Sequence, residues 1–139
     1  MGRDRDAGGG SGVAGDRITH VSVIVADDAP DVRRAIVDLL AADDRFCVVA
    51  EATGADGAVD AATTFHPDVA VLDVHMPGGG ADAASRIRTA SPGTVVVAHS
   101  ALDDAHSRSE MEAAGAKAYA VKGRDALLDV VRGALDFAR

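Results

Sequence analysis

Five short apolar runs, each closed by a polar or turn-forming residue, alternate along the chain with longer segments whose apolar residues recur every three or four positions. Short runs rich in β-branched residues read as strands buried on both faces, and the longer recurrence reads as helices that pack by one side. The predicted strands are Val21–Ala26, Phe46–Ala52, Val69–Asp73, Thr94–Ala98 with its exit at Ser100, and Ala118–Val121. The first helix starts at Pro30, a residue suited to a first turn, and keeps Val32, Ala35, Ile36, Leu39 and Leu40 on one face as far as about Ala42. Further helices are expected at about Ala55–Thr64, Ala81–Ala90, Asp103–Ala114 and Asp125–Ala138. The last carries Leu127, Val130, Val131, Ala134 and Leu135 at helical spacing. His66-Pro67, Gly78-Gly79-Gly80, Ser91-Pro92-Gly93 and Gly115 punctuate them, and the glycine triplet is expected to be a mobile loop.

Strict strand–helix alternation predicts an α/β fold: a doubly wound, five-stranded parallel sheet with right-handed crossovers and helices on both faces. The expected strand order is 2-1-3-4-5, which puts the switch point between the first and third strands. Ligands of such sheets bind outside the carboxyl ends of the strands. The ends here supply Asp27 and Asp28, Asp73, Ser100 and Lys122. Residues Met1–Arg17, rich in Gly, Asp and Arg, hold too few large apolar side chains to offset the entropy of ordering, so they are expected to be a disordered tail before one domain spanning 18–139.

Composition narrows the chemistry. A formal charge of -8 argues against a nucleic-acid surface on this chain, because phosphate binding needs clustered Lys and Arg. Aromatic residues make up only 3% and Trp is absent, so the core must be built from Val, Ala, Leu and Ile. The single cysteine, Cys47, excludes an internal disulfide and reads as a small buried hydrophobe. With no apolar run of membrane-spanning length and no signal-peptide core, the expected location is cytoplasmic and away from membranes.

An Asp that closes a strand is often only a turn former. Three carboxylates gathered at neighbouring strand ends are another matter, since their mutual repulsion calls for a cation, and a set of oxygen ligands suits Mg2+. A cation beside Asp73 would let that carboxylate attack an anionic phosphoryl donor, with Lys122 and Ser100 holding the other phosphoryl oxygens. The product would be an acyl phosphate on Asp73.

Val25-Ala26-Asp27-Asp28, Leu72-Asp73-Val74-His75-Met76-Pro77-Gly78, Ser100-Ala101, Ala114-Gly115-Ala116 and Tyr119-Ala120-Val121-Lys122 together resemble the receiver domain of bacterial two-component response regulators. The likeness extends from about Ile18 to Arg139. It implies a flavodoxin-like (βα)5 fold in which Asp73 is the phosphoacceptor. Asp28 would be the direct Mg2+ ligand and Asp27 a ligand through water, with the backbone carbonyl of His75 completing the metal site. Ser100 and Tyr119 would form a switch in which the hydroxyl moves toward the phosphoryl group and the ring turns inward, changing the face made by the fourth helix, fifth strand and fifth helix. Such a domain is not an enzyme with separate substrate turnover. Its implied partners are a sensor histidine kinase or phosphotransfer protein, and a second copy through the switching face.

Some positions depart from that pattern. Gly123 follows Lys122 where the family usually has a cis proline, so a trans peptide or a rearranged loop is expected. His99 stands where an apolar residue is common, and His75 is an unusual neighbour for Asp73; both read as ordinary histidines rather than ligands. His75 and Leu102, flanking the path of a hydrolytic water, are expected to slow loss of the phosphoryl group. The loops resemble receivers of the NarL type, which leaves open a stand-alone receiver or the receiver part of a longer transcription regulator. Rivals are a phosphatase with an Asp nucleophile, which would carry a second Asp at position 75, and a degenerate flavodoxin-like ligand-binding module, whose phosphate loop Asp27-Asp28-Ala29-Pro30 would repel.

Overall fold

The computed structural model of the protein describes residues 20–138. The expected tail, Met1–Arg17, lies outside them. Ten elements alternate without exception: β1 (Val21–Ala26), α1 (Pro30–Ala41), β2 (Phe46–Ala52), α2 (Ala55–Phe65), β3 (Val69–Asp73), α3 (Gly80–Ala90), β4 (Val95–Ser100), α4 (Ala105–Ala113), β5 (Ala118–Val121) and α5 (Leu127–Ala138). All strands pair in parallel, in the order β2-β1-β3-β4-β5. The doubly wound fold and the strand order expected from the sequence are both present.

Alternation along each strand divides the core into two layers. Val23, Val25, Val69, Val71 and Val97 face one way, against Ile36 and Leu40 of α1 and Leu127, Val131 and Ala134 of α5. Ile24, Ala26, Ala70, Leu72, Val96 and Ala98 face the other, against the alanines of α2, Ala83, Ala84 and Ile87 of α3, and Met111 of α4. Every residue of β3 is buried, as the sheet's central strand requires. The alanines bring α2 close to the sheet. Isoleucine fills the space beneath α3, where truncating Ile87 to Ala should cost about 2–5 kcal/mol.

Several expectations need correction. Cys47 is exposed, not buried. It lies near the start of edge strand β2, opposite Ser22, and belongs to neither packed layer, whereas its neighbours Phe46 and Val48 pack with Val23 and Val25. The Gly78–Gly80 run is tied down: Gly79 N–H donates to the Met76 carbonyl (2.8 Å), Gly80 N–H to the Val74 carbonyl (3.0 Å), and the Pro77 carbonyl accepts from Ala55 N–H (2.8 Å). A Cβ on Gly80 would come within 2.5 Å of the Asp73 carbonyl oxygen, so only glycine lets α3 begin against the end of β3. Helices α4 and α5 begin two residues later than expected, because Asp104 caps α4 through Ser107 N–H (2.8 Å) and the Asp125 side chain turns back to Val121 N–H (2.8 Å). Among the described residues no helix is long and apolar enough to cross a membrane.

Candidate functional site

The parallel sheet delivers its polar strand ends to one place. Asp27 follows β1, Asp73 closes the adjacent β3, and one oxygen from each of Asp27, Asp28 and Asp73 lies within 4.8 Å of the others. Asp27 and Asp73 are buried at 1% and 5% exposure, whereas Asp28 is open to solvent. Two carboxylates at this separation repel by about 3.5 kcal/mol at an effective dielectric near 20. The cluster therefore needs positive charge.

Lys122 supplies part of it. Its Nζ donates to Asp27 Oδ2 at 2.8 Å and lies 3.4 Å from Asp73 Oδ1. Burial works to lower the pKa of this ammonium, but the hydrogen bond to Asp27 and the charge of Asp73 outweigh it and hold the pKa above its ordinary value. The other oxygen of Asp27 accepts from Ala29 N–H at 2.9 Å, and its carbonyl accepts from Arg33 Nη1. Both carboxylate oxygens of Asp27 are thus occupied. Asp73 accepts one bond, from His75 N–H at 3.2 Å. Burial raises its pKa; Lys122 opposes this and Asp27 adds to it, and the net direction is upward. One ammonium does not offset three carboxylates.

A divalent cation fits this donor set: three carboxylates, two of them buried, on neighbouring strand ends. Asp28, exposed and outside the Lys122 pair, has the freest oxygens. The carbonyls of Val74 and Met76 are taken by Gly80 and Gly79, and among the described residues the His75 carbonyl between them accepts no backbone bond.

The other expected residues lie on the neighbouring strands. Ser100 is completely buried, and its hydroxyl accepts from Leu102 N–H at 3.1 Å. Tyr119 is half-buried and its hydroxyl donates to the Leu102 carbonyl at 2.7 Å, with the Arg108 guanidinium 4.6 Å above the ring. The hydroxyl and the ring are therefore linked through one loop residue. Leu102 itself is 52% exposed and His75 is exposed, so neither side chain is packed over Asp73 in this arrangement. The peptide after Lys122 is trans, with Gly123 at φ 78°, and the lysine still reaches the cluster.

Some features were not foreseen from the sequence. His99, paired in register with Asp73, is 8% exposed, and among the described residues its enclosed Nδ1 has no partner. Burial, reinforced by nearby Lys122, pushes its pKa down to about 4. Asp103 accepts from Arg108 Nε (2.5 Å) and Arg124 Nη1 (2.6 Å), and Arg124 also holds Asp125. The sole sequence signal was a lone Arg beside an Asp in the turn after Lys122.

A five-stranded parallel sheet in this order, with an acidic cluster and a lysine over its switch point, defines the class of two-component receiver domains. Residues 23–132 match the response regulator receiver domain family, and the chain belongs to it. Among relatives, it is 33% identical over 107 residues to a protein-glutamate methylesterase/protein-glutamine glutaminase from Nitrosospira multiformis, an alignment covering 76% of this chain and 30% of that protein. It is 34% identical over 104 residues to response regulator GacA from Pseudomonas syringae, covering 74% and 49% respectively. The chain thus spans less than half the length of either. Among solved structures, the signal receiver domain of NarL from Mycobacterium tuberculosis superposes with a TM-score of 0.78 at 32% identity, over 86% of this chain and 97% of that one.

Proposed function

We propose that this receiver takes a phosphoryl group onto Asp73 from the phosphohistidine of a sensor kinase or phosphotransfer protein, in a Mg2+-dependent step. The observation that carries this is the burial of Asp73 beside both Lys122 and two further carboxylates. An Asp73 carboxylate oxygen attacks phosphorus, the P–O bond forms as the P–N bond breaks, and the departing imidazole nitrogen takes up a proton. Bound Mg2+ supplies charge that shields the incoming phosphoryl oxygens from the carboxylates. Asp28 would hold it directly, Asp27 through water, and Asp73 and the His75 carbonyl would complete the set.

Lys122 starts on Asp27 and Asp73 and would pass to a phosphoryl oxygen, since the same ammonium serves whichever anion is nearest. The Ser100 hydroxyl would leave Leu102 N–H to bond another phosphoryl oxygen. Because Leu102 also anchors Tyr119, that exchange would free the ring to turn inward and alter the α4-β5-α5 face. A full switch, from about 1:99 to 99:1, requires roughly 5.5 kcal/mol of differential interaction. A groove of ≈ 260 Å³ lined by Arg108, Met111, Lys117 and Tyr119 lies on that face, and a second copy or an output partner would read the change there.

A second reading, the receiver part of a longer regulator, is favoured by GacA, of which this chain matches 49%. Intact mass after incubation with Mg2+ and acetyl phosphate tests the main reading. The wild type should gain one phosphoryl group, and neither the Asp73→Asn protein nor the wild type in chelator should gain any. Gain of the group by Asp73→Asn at the same site would overturn the assignment.

A further inference from the structure

The turn that carries Lys122 has no proline to set its geometry. Gly123 takes φ 78°, and a Cβ there would meet nothing within 4 Å, so the glycine serves the backbone angle and no packing holds it. Such a turn loses more freedom on folding than any other residue type would impose, and by itself it leaves the lysine loosely placed.

Three side chains compensate. The Val121 carbonyl accepts from both Arg124 N–H (3.1 Å) and Asp125 N–H (3.0 Å), while Val121 N–H donates to Asp125 Oδ2 (2.8 Å), so the peptide groups on both sides of Val121 are closed onto residue 125. Arg124 Nε and Nη2 hold the two oxygens of Asp125 at 3.1 and 3.2 Å. Its third nitrogen, Nη1, reaches Asp103 Oδ2 at 2.6 Å, three residues beyond Ser100. Lys122 N–H donates to the Ser100 carbonyl at 2.7 Å, which closes the frame. One chain of bonds therefore runs from the lysine turn to the loop that follows the serine.

We propose that Asp125, with Arg124 and Asp103, is a positioning device for Lys122 that also fixes its spacing from Ser100. The inference rests on the proposed phosphoryl transfer, where Lys122 must exchange Asp27 for a phosphoryl oxygen without its turn moving. Misplacement by about 1 Å can cost on the order of 100-fold in rate, so a frame of this kind has a measurable consequence.

Asp125→Ala should slow phosphorylation at saturating acetyl phosphate by roughly 10-fold, with the acetyl phosphate KM and the Mg2+ affinity within about twofold of wild type. Asp125→Asn keeps an acceptor for Val121 N–H and should lose no more than about threefold. Arg124→Gln, a surface change that removes the bonds to both Asp125 and Asp103, should slow the reaction by about threefold, Asp103→Asn by no more than that, and the double variant no further than Arg124→Gln, because Asp103 reaches the lysine turn through Arg124. A readout independent of phosphorylation is the rate at which acetic anhydride modifies Lys122 in Mg2+-free protein, followed by peptide mass mapping; it should rise several-fold in Asp125→Ala. Wild-type modification and phosphorylation rates in Asp125→Ala overturn the positioning role, as does a rate loss matched by an equal loss of Mg2+ affinity. Failure of the wild type to accept a phosphoryl group, with the Lys122 modification still enhanced, would instead overturn the proposed function and leave the frame standing.

Discussion

The two ends of the sheet are built from the same strands and hold comparable polar side chains, yet they treat charge in opposite ways. At the amino end Ser22, Asp68, His66, Ser91 and Thr94 close on their neighbours. Asp68 Oδ2 accepts from both Ser22 N–H (2.9 Å) and Ser22 Oγ (3.1 Å), and Ser22 Oγ accepts from Asp68 N–H in return (3.0 Å). His66 Nδ1, Ser91 Oγ and Thr94 Oγ1 form a relay at 3.2 and 2.7 Å that ends on the Pro67 carbonyl at 2.7 Å. At the carboxyl end three carboxylates gather beside one ammonium that touches two of them, and among the described residues a buried histidine nitrogen has no partner. Satisfied polar groups stabilise a fold, while surplus charge and an orphaned atom cost stability and persist where a ligand is to be bound.

His99 provides the sharpest test of that contrast, with an expected effect on the order of 3 kcal/mol. Its pKa in the folded protein is about 4, below the usual 6.5, so the unfolded chain binds more protons between those values. Stability must then fall as pH drops from 6.5 toward 4 and change no further from this group below that. Asp73 acts in the other direction, because its raised pKa means that its contribution declines as pH rises above 3.8. Urea unfolding in chelator across this range should show an acid-side loss in wild type that His99→Leu lacks, with His99→Leu at least as stable at pH 7. Identical pH profiles for the two proteins would mean that His99 is solvated and the two ends are alike.

Mg2+ gives the next largest effect. A ligand that binds only the folded state at 100 times its Kd stabilises by about 2.7 kcal/mol. Wild type should gain this in a thermal or urea titration, and Asp28→Ala should lose most of it, more than Asp27→Ala, whose carboxylate is already occupied by Lys122 and Ala29. Equal losses in the two variants would show that the direct and water-mediated roles are reversed.

Much of this was legible in the sequence, and the parts that were not share a cause. Strand order, the two-layer core and the meeting of Asp27, Asp28 and Asp73 follow from alternating apolar runs, because a parallel sheet with right-handed crossovers has few ways to connect them. Ser100 at the end of β4, Tyr119 on β5 and Lys122 directly after β5 also lie where the sequence put them. Cys47 was misjudged because the expected order put its strand at the edge, but whether anything covers a given side chain there is a tertiary fact. The braced glycine loop and the Asp103-Arg124-Asp125 frame depend on backbone groups and loops far apart in sequence finding each other, and residue type carries little trace of that. His99 lay in plain view at a normally apolar position, but its missing partner can be seen only when its surroundings are in place.

The smallest expected effect belongs to the amino end and serves as the control for the rest. Asp68→Ala removes the acceptor for Ser22 N–H and Ser22 Oγ, two bonds in an exposed setting where water can replace part of what is lost. Net contributions of such bonds are about 0.5–1.5 kcal/mol each and smaller where solvent competes, so a total near 1 kcal/mol is expected. The lost bonds sit at the start of β1, and Asp27 sits just beyond its other end. Buried strand residues from Val23 to Ala26 separate the two. Urea unfolding should therefore register the loss, while Mg2+ affinity and the rate of phosphorylation by acetyl phosphate stay within about twofold of wild type. A Mg2+ affinity that fell in step with stability would show that β1 transmits strain along its length, and the two ends could no longer be treated as independent.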